Sequence, residues 1–92
     1  MTTSFALPVF NLNGTSPGPI EDEYNEAMCA ARKAREAVAT CTCHPRDFQM
    51  QEPTVFNRAV DQRQHQLQQL DNLLEYLEAW YWAAVNSNPE HS

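Results

Sequence analysis

The stretch VFNRAVDQRQHQLQQLDNLLEYLEAWYWAAV, residues 55–85, decides the fold of this 92-residue chain. It contains no glycine and no proline, and its apolar side chains recur at alternating steps of three and four residues. This spacing predicts one long helix from about residue 54 to residue 86, with Thr54 as its N-cap and a heptad seam along one face. The seam positions are Val60, Arg63, Leu67, Leu70, Leu74, Leu77, Tyr81 and Ala84.

A second, shorter helix is predicted upstream, from about residue 19 to residue 39. Pro19 suits the first helical position, where a missing N–H costs nothing. An alanine-rich apolar stripe follows at helical spacing: Ile20, Tyr24, Ala27, Met28, Ala31, Ala34 and Val38. Residues 40–53 form the connecting loop, which carries Pro45 and ends at Pro53. The sequence therefore predicts an all-α fold, a helical hairpin within a single domain of residues 1–92.

The two ends of the chain are predicted to lie outside the hairpin. Residues 1–18 are an arm and turn, extended because Pro8 sits among the apolar residues Phe5, Leu7, Val9 and Phe10. We expect this arm to lay apolar side chains on a neighbouring surface. Residues 87–92 are a tail.

The unequal helix lengths bear on assembly. The long helix would measure about 50 Å and its partner about 30 Å, at about 1.5 Å per residue. A two-helix hairpin cannot cover both the seam and the cluster Trp80-Tyr81-Trp82, so we expect a homo-oligomer. The alternative is a monomer in which the N-terminal arm folds back over this surface.

Charge narrows the classes of partner. The formal net charge is −6, which argues against a broad basic face for duplex nucleic acid. Residues 32–46 are the exception, because they carry four basic side chains and one acid. A compact anion could bind there.

No apolar run has the length of a membrane span, and the N-terminus lacks a basic segment followed by a long apolar one. We therefore expect a soluble, unsecreted protein that does not enter a membrane. The three cysteines are then expected to be reduced thiols.

The segment TCTCHPRDF, residues 40–48, is the most chemically loaded part of the chain. Cys41, Cys43 and His44 form one cramped cluster without the second ligand pair that structural zinc sites have. Adjacent Cys43 and His44 side chains rarely face each other, and no third group orients the histidine. We therefore expect no metal, no cofactor and no enzymatic activity.

The second half of this segment is the stronger candidate for a binding site. Arg46 can form two hydrogen bonds to a phosphate, and Phe48 can stack on a nucleotide base. Asp47 can either pair with that arginine or accept a hydrogen bond from the edge of a base. The structural alternative is that Asp47 caps a turn, Arg46 pairs with an acid of the second helix, and Phe48 plugs the hairpin core.

Two further features have both a structural and a functional interpretation. Asn13 and Thr15 lie in a turn before the first helix, where they either form the helix entry or receive an anion or a ribose. Tyr24 is either a core residue of the stripe or a platform for stacking.

The order of FNLNGTS (residues 10–16), an alanine-rich helix, HPRDF (residues 44–48) and a leucine-rich helix resembles a group of small bacteriophage proteins. Those proteins carry an LNGTS start and a GRDYY-like loop between two helices. Their plan is similar to that of the phage anti-CBASS sponges, which sequester cyclic oligonucleotide immune signals. The resemblance spans residues 9–80. This chain departs from it at Pro45, where the motif has glycine, and at Phe48-Gln49, which replaces paired tyrosines.

The resemblance implies a homo-oligomer, such as a hexamer, that binds cyclic nucleotides between protomers and catalyses no reaction on them. By position, Tyr24 would stack on a base, and Arg46 and Asp47 match the loop motif. Charge and location add Arg32, Lys33 and Thr40 as phosphate contacts.

The function predicted from the sequence is a phage-encoded, non-enzymatic sponge in the host cytoplasm. Its ligand would be a cyclic oligonucleotide or a cyclic ADP-ribose-type nucleotide. The alternatives are an acidic protein-interaction module that inhibits a host protein, and a structural or assembly role in a virion.

Overall fold

The computed structural model describes residues 5–10 and 16–87. Within these ranges the chain is all-helical and contains no β-strand. Helix α1 is Pro17–Thr40, a single 3-10 turn is Pro45–Phe48, and helix α2 is Pro53–Ser87. The predicted helical hairpin is confirmed. No helix of the described chain is both long enough and apolar enough to cross a membrane.

Both helices begin slightly earlier than predicted, and in each case a proline explains the difference. Pro17 occupies the first turn of α1, directly after the N-cap Ser16, so Pro19 lies inside the helix rather than at its start. Pro53 is the first residue of α2, so Thr54 lies within the first turn and not at the N-cap. The fixed φ of proline and its lack of an N–H suit both positions.

The helices pack antiparallel, and three side-chain contacts define their register. Arg32 pairs with Glu78, Arg35 pairs with Asp71, and the Arg63 guanidinium donates to the carbonyl oxygen of Ala39. Because Arg63 lies beside the end of α1, the first ten residues of α2 extend beyond it. The 3-10 turn covers part of this overhang through the ring of Phe48, whose centroid lies 5.6 Å from that of Phe56.

The core between the helices is small. Met28, Ala31 and Leu77 form its centre, and half-buried side chains surround them: Tyr24, Ala27, Leu74 and Tyr81. The predicted seam of α2 faces this core, since each seam residue is buried or half-buried. Ala34, predicted to lie on the stripe of α1, is exposed instead. After Ala31 the face of α1 that meets α2 continues through Arg35, which is half-buried and pairs with Asp71.

The arm folds back onto the hairpin. Residues 5–10 have no regular secondary structure, and the ring of Phe5 meets the ring of Tyr76 edge-on at 5.5 Å. The arm therefore contacts its own hairpin, as the monomer alternative assumed. Leu7 and Val9 nevertheless stay exposed, so the arm covers only part of the apolar surface.

Candidate functional site

The residues singled out from the sequence fall into two separate regions. Tyr24 and Arg32 lie in the middle of α1, whereas Arg46, Asp47 and Phe48 lie at the end of the hairpin where the helices connect. Along α1 alone, Tyr24 is about 24 Å from Thr40, at about 1.5 Å per residue. A single chain therefore does not bring the predicted stacking residue to the predicted phosphate loop. Asn13 and Thr15 lie outside the described residues.

The 3-10 turn presents the loop residues to solvent. His44 accepts a hydrogen bond at Nδ1 from the N–H of Arg46 at 3.1 Å, so the cap is His44 and not Asp47. The side chains of Arg46 and Asp47 are exposed. Arg46 has no acidic partner on α2 among the described residues, so the predicted bridge to that helix is absent. Phe48 packs on Phe56, as its structural interpretation predicted.

The end of α1 uses its polar groups internally. The Thr40 hydroxyl donates to the carbonyl oxygen of Ala37 at 3.0 Å, and the Cys41 thiol donates to the same oxygen at 3.2 Å. These carbonyls form the negative end of the helix dipole, where a phosphate is disfavoured. Thr40 is therefore poorly placed to bind an anion.

An open cleft of about 360 Å³ lies between the two helices, at the level of Arg32. It is lined by Asn25, Met28, Arg32, Glu78, Tyr81 and Trp82. Of the predicted ligand-binding residues that the structure describes, only Arg32 lines this cleft. Its Nη2 is 3.4 Å from the Glu78 carboxylate, and both side chains are about half exposed, 52% and 46%.

Trp82 is the exposed aromatic residue of the cleft. It is 54% exposed, and it meets Tyr81 edge-on with ring centroids 5.3 Å apart. Because more than half of the Trp82 side chain is exposed, part of the indole is available to a planar ligand. From the sequence, Trp82 was predicted to lie in an apolar cluster and, with Trp80, to contact a host protein in the inhibitor alternative; it was not predicted to bind a nucleotide. Its position one residue beyond the seam residue Tyr81 is the signal that would have placed it at the edge of the helix interface.

Tyr24 lies on the other flank of the interface, in a cluster of four rings. It stacks on Trp80 with centroids 5.1 Å apart and an angle of 5° between the rings, and Tyr76 and Phe5 continue the cluster. Burial, and a smaller contribution from Tyr76, raise the pKa of the Tyr24 hydroxyl above its ordinary value. One face of Tyr24 is therefore occupied by Trp80, as the core interpretation predicted. The Trp80 Nε1–H is buried and has no partner in the described chain.

The basic side chains of α1 are only partly free. Arg35 forms two hydrogen bonds to the Asp71 carboxylate, at 2.5 and 3.2 Å, and this contact holds the pKa of Asp71 below its ordinary value. Lys33 is exposed and has no ion-pair partner in the described part of the chain. The positive charge predicted for residues 32–46 is thus partly neutralised by α2, and Arg32 is the arginine with the looser pairing.

The cleft has the chemistry of a binding site. It offers an aromatic face, a guanidinium, a carboxylate, an amide and a phenol, and none of its lining residues is Ser, Cys or His. Within residues 5–10 and 16–87 no group of three His, Cys, Asp or Glu side chains could hold a metal ion.

Known proteins add nothing to this description, because no protein-family model, no curated protein and no solved structure matches the chain.

Proposed function

We propose that this protein is a non-enzymatic binding protein that sequesters a nucleotide-type small molecule in the cleft between α1 and α2. The observation that carries the proposal is the pairing, in one cleft, of the exposed Trp82 ring with the loosely held Arg32 guanidinium. Indole faces stack on bases, and guanidinium groups fork onto phosphates.

The Arg32–Glu78 contact favours exchange with a ligand. At 3.4 Å and half exposed, the pair contributes little to stability, so Arg32 can turn from Glu78 to a phosphate at small cost. Glu78 would then accept hydrogen bonds from a base amino group or a ribose hydroxyl, and Asn25 and Tyr81 offer further polar contacts.

The size of the cleft bears on the ligand. A volume of about 360 Å³ is near the lower end of the roughly 300–1,000 Å³ of small-molecule pockets. It suits one nucleotide unit, so the rest of a cyclic dinucleotide or larger ring would extend beyond the cleft. In a homo-oligomer, such as a hexamer, a neighbouring copy would contact that part. Arg46, Asp47 and Phe48 take part in binding only if a neighbour brings its connecting loop to the cleft.

The motifs FNLNGTS and HPRDF support a biological setting for this proposal. Through their resemblance to the phage proteins, they favour a phage-encoded sponge for a cyclic oligonucleotide or cyclic ADP-ribose-type immune signal, acting in the host cytoplasm. Sequestration needs no chemistry, and no Ser, Cys or His lines the cleft.

Calorimetry with cyclic dinucleotides, cyclic trinucleotides and cyclic ADP-ribose isomers tests the proposal. We expect one ligand class to bind the wild-type protein, Arg32→Glu to abolish binding, and Trp82→Ala to weaken it about tenfold or more. Arg58→Glu is the matched control, because Arg58 is an exposed arginine of α2 outside the cleft lining, and it should bind as wild type. If the wild-type protein binds no member of the panel at tens of micromolar protein, the sponge proposal is wrong.

A second candidate function is an acidic module that inhibits a host protein or serves in virion assembly. The observation that favours it is the number of large apolar side chains left in solvent, Leu73, Tyr76 and Trp82 among them. Phage growth in cells that express variants separates the two functions. Under the sponge function Arg32→Glu abolishes the effect and Glu75→Lys leaves it intact, whereas an inhibitor with an acidic surface shows the reverse.

A further inference from the structure

Helix α2 carries a second heptad stripe beside the seam that faces α1. Its members again step by three and four residues, each one position before a seam residue: Ala59, Gln62, Gln66, Gln69, Leu73, Tyr76, Trp80 and Ala83. Two adjacent heptad stripes are typical of a helix that packs against two neighbouring helices. In this chain α1 is the only other long helix of the described residues, and it occupies the first stripe.

The second stripe is only partly covered. Phe5 of the arm rests on Tyr76, and Tyr24 stacks on Trp80. Leu73 remains 43% exposed and Tyr76 37% exposed, and Leu7 of the arm adds a side chain that is 44% exposed. Toward the start of α2 the stripe continues through exposed glutamines.

The accessible surface indicates how much a partner would have to cover. The chain exposes 7097 Å², whereas a compact monomer of 10.5 kDa exposes about 5,400 Å². The radius of gyration is 19.0 Å, against about 12 Å for a compact domain of this length. The excess, about 1,700 Å², belongs to the described hairpin and to the residues outside the described ranges together, and it is larger than the about 800 Å² that one partner loses in an interface of standard size.

The charge pattern favours an identical partner. The chain has a net charge of −6, so two copies repel wherever their acidic surfaces approach. The second stripe contains no charged residue from Ala59 to Ala83. It is therefore a face along which two copies can pair without placing like charges opposite each other. Its glutamines can hydrogen-bond across such an interface.

We propose that the second stripe of α2 is the docking surface for a second copy of this chain, packed helix against helix through Leu73 and Tyr76. The surface lies on the flank of α2 away from the cleft, since Trp80 and Trp82 are on opposite sides of the seam residue Tyr81. Self-association through it needs no ligand, so it can fail or succeed independently of the proposed binding function.

Native mass measurement and sedimentation of the ligand-free full chain test this interface. We expect the wild type to contain at least two copies at tens of micromolar, and Leu73→Glu to raise the dissociation constant about tenfold or more. Circular dichroism should show unchanged helix content, because Leu73 is not part of the buried core.

A matched pair of isosteric substitutions keeps the test independent of any folding defect. Gln66→Glu adds a charge on the second stripe, and Gln64→Glu adds the same charge on the opposite side of α2; both glutamines are exposed. We expect Gln66→Glu to weaken association and Gln64→Glu to leave it as in wild type. A wild-type protein that stays a single copy at about 100 µM, or equal association of the two glutamate variants, overturns the proposal.

Discussion

The Arg35–Asp71 pair is the closest charged contact between the two helices, and it fixes their register near the end of α1. Two hydrogen bonds join the guanidinium to the carboxylate. The contact stabilises the ionised carboxylate, so the folded chain holds the pKa of Asp71 below its ordinary value.

The pH dependence of Asp71 follows from the sign of this shift. A carboxyl group with a lowered pKa in the folded state stabilises the fold at pH values above its unfolded pKa, and that stability is lost as the pH falls through the folded pKa. We expect Asp71→Asn to lower the midpoint of thermal unfolding at pH 7 by a few degrees at most, because solvent screens the half-exposed pair. The difference from wild type should shrink as the pH falls below about 4.

Thermal unfolding at several pH values checks this expectation. Asp61→Asn is the control, since Asp61 is an exposed carboxylate of α2 without an ion pair in the described chain. Equal effects of Asp71→Asn and Asp61→Asn at pH 7 would show that the Arg35 contact does not stabilise the fold.

The site could be predicted only in part at the level of single residues. Charge and position alone selected Arg32, and the structure places it in the cleft. Its neighbours Glu78 and Trp82 lie about fifty residues away in sequence, and only the register of the hairpin brings them together. The register is the set of α1 and α2 residues that lie opposite each other. A helical pattern shows which face of each helix is apolar, but it does not specify these pairs. Arg46 and Tyr24 were selected for the same site, yet they lie in different parts of the hairpin.

At the scale of elements, the periodicity of the sequence predicted both helices and the seam of α2, because burial of one face dominates the energy of an amphipathic helix. The ends were predicted less well. Two prolines were possible starts for α1, and the structure uses Pro17 rather than Pro19. A turn at Asp47 was one of the two interpretations of the connecting loop, but its cap was predicted wrongly: the cap is the side chain of His44, a residue that helix-capping preferences do not favour.

Close packing of α1 on α2 depends on small residues at the interface. Ala31 is buried between Met28 and Leu77, whereas its neighbour Ala30 is exposed. We expect Ala31→Leu to lower the free energy of unfolding by about 1–3 kcal/mol, because the added atoms force the helices apart. Ala30→Leu adds the same side chain in solvent and should change it by less than about 0.5 kcal/mol.

Urea unfolding followed by circular dichroism measures both values. A destabilisation of similar size in the two variants would mean that helix propensity or solubility, and not packing against Leu77, determines the result. An Ala31→Leu protein as stable as wild type would show that the interface is looser than the structure indicates.

The whole molecule is an elongated rod of 63 × 25 × 19 Å with five buried hydrophobic residues among those described. A core of this size gives a short chain little stability by itself. If association covers the second stripe of α2, part of the stability of the fold comes from the partner copy and depends on protein concentration.

This dependence gives a prediction for the intact molecule. We expect the midpoint of thermal unfolding to rise as the protein concentration increases from about 1 to about 100 µM, because association stabilises only the folded chain. The midpoint of Leu73→Glu should stay constant over the same range. Calorimetric scans at several concentrations check both, and a wild-type midpoint that does not move would contradict concentration-dependent stabilisation.

The two tryptophans, one on each side of Tyr81, give the molecule two separate fluorescent reporters. Trp80 is packed against Tyr24 on the stripe proposed to meet a second copy, and Trp82 stands in the open cleft. In a Trp80→Phe protein the remaining emission reports occupancy of the cleft, and in a Trp82→Phe protein it reports the environment of the stripe. Intrinsic tryptophan fluorescence can therefore follow ligand binding in one variant and self-association in the other. Neither measurement needs an attached dye.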